Sequence, residues 1–169
     1  MHGSSISNMK NFISKYLHDK GKVLDVGSYN VNGSYKPLFE GWDYLGIDII
    51  PGNNVDLVLK DPYHWNELES YTYDLVISGQ CFEHIEYPWL TICEIARVLK
   101  ANGLCYVTAP STGAHHSERD CWRIFPDGFC ALAKWANMEV LESYISWETI
   151  RNDEDAKWQD SVLICRKQK

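Results

Sequence analysis

The chain has 169 residues, 45% of them apolar and 23% charged, and a net charge of −7. That composition excludes a disordered chain, and one domain of this length buries roughly 70% of the surface its unfolded form exposes. The acidic balance speaks against nucleic acid as a partner, because phosphate neutralisation needs clustered Lys and Arg; no apolar run of about 18 residues is present to span a membrane.

Residues 7–20 read as an amphipathic helix, with Met9, Phe12, Ile13, Tyr16 and Leu17 at helical spacing and Gly21 as its stop. Short apolar runs follow at 22–27 (K-V-L-D-V-G), 44–48 (Y-L-G-I-D), 55–59 and 73–78 (Y-D-L-V-I-S). Each is bounded by turn residues and reads as a buried strand. Residues 87–100 predict a helix closed by Asn102-Gly103, and 104–109 a fifth strand. Residues 126–137 predict a helix with Pro in its first turn. Two more strands are expected at 138–147 and 161–166. The stretch 148–160 between them holds seven charged residues and predicts a loop or short helix.

Strands alternating with helices imply an open, mostly parallel sheet covered on both faces. The last two strands are expected as an antiparallel pair at the end of that sheet, because their linker is too polar for a packed crossover. The whole reads as a single domain: an N-terminal helix at 7–20, a ligand-binding core at 22–110, and substrate-side and C-terminal strands at 111–169.

Six cysteines, Cys81, Cys93, Cys105, Cys121, Cys130 and Cys165, include no C-x-x-C pair. Several sit in apolar runs, and residues 1–10 carry no basic-then-apolar leader pattern. They are expected as reduced, mostly buried thiols of a cytoplasmic protein.

In open α/β sheets ligands bind beyond the carboxyl ends of the strands. Three features fall there: the turn Asp25-Val-Gly27, Asp48 at 21 residues beyond Gly27, and Asp61. A glycine turn followed by an acid fits two ligands, a dinucleotide or S-adenosylmethionine. The dinucleotide fingerprint G-x-G-x-x-G fails at Tyr29 and Asn32, and Asp25 would repel a pyrophosphate. The ammonium and sulfonium of S-adenosylmethionine gain from that carboxylate.

On these residues the chain resembles class I S-adenosylmethionine-dependent methyltransferases, in particular the type 11 group. The resemblance is carried by V-L-D-V-G-S (23–28), L-G-I-D (45–48), Y-D-L-V-I-S-G-Q-C-F-E-H-I (73–85) and E-I-A-R-V-L-K-A-N-G-L (94–104), and it covers residues 22–143. It implies a Rossmann-like, doubly wound sheet of about seven strands, mostly parallel with an antiparallel last strand. It implies S-adenosyl-L-methionine as cofactor. Asp25 and Gly27 would meet its methionine part, Asp48 its ribose and Ile49 its adenine, with Ser28 a further cofactor contact. Asp61 and Pro62 would meet the adenine amino group; Ser78, Gly79 and Gln80 would line the sulfonium region. One departure is plain: Tyr29 and Val31 stand where the family turn commonly has further glycines, with Asn32-Gly33 one turn later.

The richest polar cluster, residues 111–126, follows the fifth strand. His115 or His116 could act as base, and Arg123 could hold a substrate anion. The run D-C-W-R-x-x-P-D-G (120–128) resembles a signature of methyltransferases acting on small molecules, including sugars and secondary metabolites. Asp120, Trp122 and Arg123 are therefore substrate-side candidates. Plainer roles stand beside these: His84 as structural, Trp122 and Phe125 as packing anchors, Asp120 and Arg123 as each other's partner. His115, His116, Glu118 and Cys121 lack an established metal spacing, so no metal is expected.

The function expected is methyl transfer to a small-molecule acceptor. A non-catalytic methyltransferase-like binding or scaffold domain is the alternative, and a nicotinamide oxidoreductase the least favoured one. Few residues lie outside sheet and helices, which predicts a thin or open acceptor pocket: either the substrate is small, or a second copy or another partner completes the lid.

Overall fold

The computed structural model describes residues 3–146 and 153–169. Seven strands, β1 (Lys22–Val26), β2 (Asp43–Asp48), β3 (Leu57–Val58), β4 (Tyr73–Gly79), β5 (Leu99–Pro110), β6 (Met138–Ile145) and β7 (Asp160–Lys167), form one sheet in the order β3-β2-β1-β4-β5-β7-β6. The β3-to-β5 half is parallel, and β7 runs antiparallel to both β5 and β6. The antiparallel strand therefore lies one place in from the edge.

Alternation sorts the apolar side chains into two cores. On one face Leu24, Val26, Val76, Cys105, Val107 and Leu163 meet α2 (Pro88–Val98) and α3 (Pro126–Trp135) through Ile92, Ile95, Val98, Phe129 and Ala133. On the other face Val23, Leu75, Ile77, Tyr106, Val162 and Ile164 are covered by Met9 and Phe12 of α1 (Gly3–Tyr16) and by Tyr35 and Phe39 around a 3-10 turn, Lys36–Phe39.

α1 begins four residues before its predicted start and ends four before its predicted end. Its extra first turn is polar but buried, and Ser5 there is hydrogen-bonded to the Tyr35 hydroxyl. Pro88 and Pro126 open their helices as expected. β3 is shorter than predicted, as suits an edge strand. β5 begins directly after α2, and its chain turns at Asn102 (φ 63°). Of the polar stretch 148–160, a short helix α4 (Asp153–Trp158) is described; 147–152 fall outside the described residues.

All six cysteines are free, but only Cys105 and Cys165 are buried, side by side across β5 and β7, and Cys121 is exposed. The expectation of mostly buried thiols is corrected to that extent: Cys81, Cys93 and Cys130 lie on half-covered loop or helix positions rather than inside strands.

Candidate active site

β1, β4 and β5 end side by side, and the loops beyond them open two cavities of about 350 and 440 Å³. Gly27, Tyr29, Val31, Gln80 and His84 belong to both walls, so the two cavities are neighbours. The smaller is lined by Asp48, Ile49, Ile50, Pro62, Tyr63 and Trp65; the larger by Asp25, Ser28, Asn32, Glu83, His116 and Trp158.

Gly27 is required by local sterics. Its φ is +74°, and a Cβ there would lie 2.2 Å from the Cys81 sulfur. Its N–H and that of Ser28 both donate to the Ile47 carbonyl at 3.0 Å, which folds the turn back onto β2. Gly79 is equally confined: a Cβ would meet the Tyr35 ring at 2.5 Å. Tyr29 replaces a family glycine without obstructing the turn. Its ring rests against Gly52, outside the turn, and its N–H donates to Asp48 Oδ2 at 3.1 Å.

Asp25 is buried beside this turn, where Tyr44 donates a hydroxyl hydrogen bond to Oδ2. Burial pushes its carboxyl up to about 7 against the pull of that bond. Asp48 accepts from the N–H groups of Tyr29, Ile49 and Ile50. Carboxylate oxygens accept more than one bond each, so capacity for hydroxyl groups remains. Gln80, in the left-handed region (φ 56°), donates Nε2 to Thr108 Oγ1 at 2.9 Å, which links the ends of β4 and β5.

Several expected site residues sit elsewhere. Ser78 is fully buried and donates to the Val26 carbonyl at 2.8 Å, tying β4 to β1 behind the cavities. Asp61 caps its own turn, accepting from Tyr63 and His64 N–H, and the Tyr63 bond foremost holds its carboxyl low. Pro62, not Asp61, reaches the wall.

Arg123 is corrected most clearly. Its five N–H groups go to Gly113 O, Trp122 O, Ala114 O and both oxygens of Asp120. The guanidinium braces the 113–123 loop and has no donor left for a substrate anion. Asp120 is its ion-pair partner, held low chiefly by that contact. Trp122 donates its indole N–H to the Ile85 carbonyl and faces Trp89, in a separate surface groove. His115 is exposed and lines neither cavity; His116 lines the larger one. Desolvation lowers the His116 pKa despite Asp120 beside it.

Glu83 was not singled out by sequence reasoning. It is 1% exposed, and burial pushes its carboxyl up to about 8. Its only sequence signal is the Glu-His pair closing the β4 motif. Tyr44, Tyr35 and Trp158 give no local signal at all, since each reaches the site through tertiary contact.

S-adenosylmethionine fits these walls. A mostly apolar cleft ends at a carboxylate with spare acceptor capacity, and a buried carboxyl, hydrogen-bonded to the Tyr44 hydroxyl, stands beside a glycine turn.

The sequence matches the methyltransferase domain family, type 11, over residues 24–107, about half of the chain. No curated protein matches it. Among solved structures it is similar to a Burkholderia thailandensis 1,6-didemethyltoxoflavin-N1-methyltransferase, solved with 1,6-didemethyltoxoflavin and S-adenosylhomocysteine. That match has a TM-score of 0.76 at 15% identity, over 99% of this chain and 79% of that one. It is similar to a Haemonchus contortus phosphoethanolamine N-methyltransferase 2, solved with S-adenosyl-L-methionine (TM-score 0.69, 17% identity, 96% and 52% covered). It also matches a Haloferax volcanii complex with the Trm112 methyltransferase activator (TM-score 0.72, 15% identity, 98% and 91% covered). At these identities the structures establish a shared fold, while the family match falls on β1 through β5, the strands that build both cavities. The chain belongs to the class I S-adenosylmethionine-dependent methyltransferases, type 11 group.

Proposed function

We propose that the enzyme methylates a small, hydroxyl-bearing acceptor, such as a sugar or a secondary metabolite, bound in the larger cavity. The observation that carries this reading is that the two cavities lie side by side and share Gly27, Tyr29 and Gln80 as walls. One compartment suits an adenosine. The other offers Ser28, Asn32, Ser34, His116 and Ser117 as polar partners, with Tyr35 and Trp158 as aromatic ones.

The cofactor supplies an electrophilic methyl group on a sulfonium. Asp48 would hold the ribose hydroxyls and Ile49 flank the adenine; Asp25 would face the methionine ammonium, with Gly27 and Gly79 leaving room for close approach. His116 is assigned to acceptor activation. Its Nδ1 edge faces Asp120 Oδ2 at 3.0 Å and Arg123 Nη2 at 3.4 Å, and Nε2 would take the proton. His115 takes no part in this reading. A second copy or another chain would cover the open side, where Val31, Ile49 and Ile50 are exposed on the rim. The acidic net charge supports an acceptor other than nucleic acid, and the free cysteines support a cytoplasmic setting.

The test is transfer of labelled methyl to a metabolite library that includes phosphorylated and nucleotide-linked sugars. A labelled small-molecule product is expected, and His116→Ala should lower its formation by roughly 100-fold or more while S-adenosylhomocysteine still binds. Label that appears only in protein or nucleic acid, or wild-type turnover by the variant, would sink the reading.

A further inference from the structure

Where the 113–123 loop crosses the end of β4, three groups converge on the larger cavity: the Glu83 carboxylate, the His84 imidazole and the His116 imidazole. Their ligand-capable atoms all lie within 4.8 Å of one another. Glu83 is 1% exposed, yet its Oε2 has no hydrogen-bond partner. A buried carboxylate oxygen left without a donor is costly unless something occupies the space it faces.

His84 is already oriented as a ligand. His84 Nδ1 is hydrogen-bonded to the Arg119 carbonyl. A carbonyl only accepts, so Nδ1 carries the proton and Nε2 carries the lone pair. That lone-pair nitrogen is 3.6 Å from Glu83 Oε1. His116 Nδ1 lies 3.0 Å from Asp120 Oδ2 and 3.4 Å from Arg123 Nη2, so this edge of the ring is engaged with the 113–123 loop. A histidine that donates its other N–H to a carbonyl or carboxylate is the usual support of a metal-bound imidazole. Arg123 is the cation that acts on Glu83 and His116, with Nη2 3.4 Å from His116 Nδ1, and the two oxygens of Asp120 neutralise it at 2.6 and 2.7 Å.

We infer that Glu83, His84 and His116 form a binding site for one divalent transition-metal ion. Two imidazoles and one carboxylate favour first-row transition ions over magnesium or calcium, and three protein ligands leave coordination positions open. Those positions face the compartment assigned to the acceptor. The inference deepens the reading of His116: with the ion in place, His116 acts as a ligand, and an acceptor oxygen coordinated to the ion becomes more acidic.

The test uses the full chain stripped with EDTA and titrated with Co²⁺, followed by visible absorption and calorimetry, then repeated with Mn²⁺ and Zn²⁺. One equivalent should bind with visible d–d bands. Glu83→Gln and His116→Ala should each weaken binding at least roughly tenfold, and Asp120→Asn by about 10–100-fold, through the imidazole it orients. His115→Ala, next along the same loop, should bind Co²⁺ as the parent does, and circular dichroism confirms that each variant folds. Absence of saturable binding for all three ions overturns the site, as does affinity unchanged in both Glu83→Gln and His116→Ala. Methyl transfer that survives EDTA without ion binding overturns the site alone; Co²⁺ binding without any labelled product overturns the acceptor reading alone.

Discussion

Asp25 shows what one buried carboxyl does to this enzyme. Its pKa is about 7 in the fold and near 4 in the unfolded chain. The folded state therefore holds the proton more tightly. Stability is greatest below the unfolded pKa and falls as pH rises through about 7. Asp25→Asn should flatten that slope and raise stability at about pH 8 by roughly 1–3 kcal/mol; denaturant unfolding at about pH 5 and about pH 8 checks it. The same change should weaken S-adenosylhomocysteine binding roughly tenfold, about 1.4 kcal/mol, because the amide cannot meet an ammonium. Gly27→Ala places a methyl against Cys81 at positive φ. It should cost about 1–3 kcal/mol in unfolding experiments and abolish cofactor binding in calorimetry. Both positions are legible in the sequence, because a carboxylate and a glycine at a strand end are local signals. The role of Glu83 is not, since its burial is created by the 113–123 loop, whose backbone Cys121 and Trp122 N–H groups donate to the Glu83 carbonyl.

Among the elements, strands β1, β2 and β4 stand close to their predicted bounds because each is a continuous apolar run covered on both faces. The connection from β3 to β4 is different. It has no helix, and its order comes from α2. Arg97 donates to the carbonyls of Trp65 and Leu68 at 2.9 Å and to both oxygens of Glu94, while Glu94 accepts from Trp65 N–H. The E-I-A-R motif thus buttresses Trp65, a wall of the smaller cavity. Periodicity alone reports α2 as a helix and is silent on this clamp. Arg97→Ala should destabilise by about 2 kcal/mol in urea unfolding and lower S-adenosylhomocysteine affinity. Arg97→Lys should recover little of either, for lack of the planar fork.

At the scale of the molecule, cofactor binding and folding are linked, because both cavities exist only when β1, β4 and β5 are aligned. S-adenosylhomocysteine at 100 times its Kd should stabilise the fold by about 2.7 kcal/mol and raise Tm by roughly 5–10 °C. A nicotinamide dinucleotide should leave Tm unchanged; thermal scans with each ligand decide. Sheet order has a further effect, on how the chain reaches this state. β7 follows every other strand in sequence yet lies between β5 and β6. During synthesis the parallel half can assemble as it emerges, whereas β6 has no neighbour in the sheet until residues 160–167 arrive. Until then β5 and β6 each present an unpaired edge, the kind of surface that recruits other chains. The antiparallel end of the sheet is therefore closed by the insertion of a single strand, and a chaperone that shields those two edges would act before that moment.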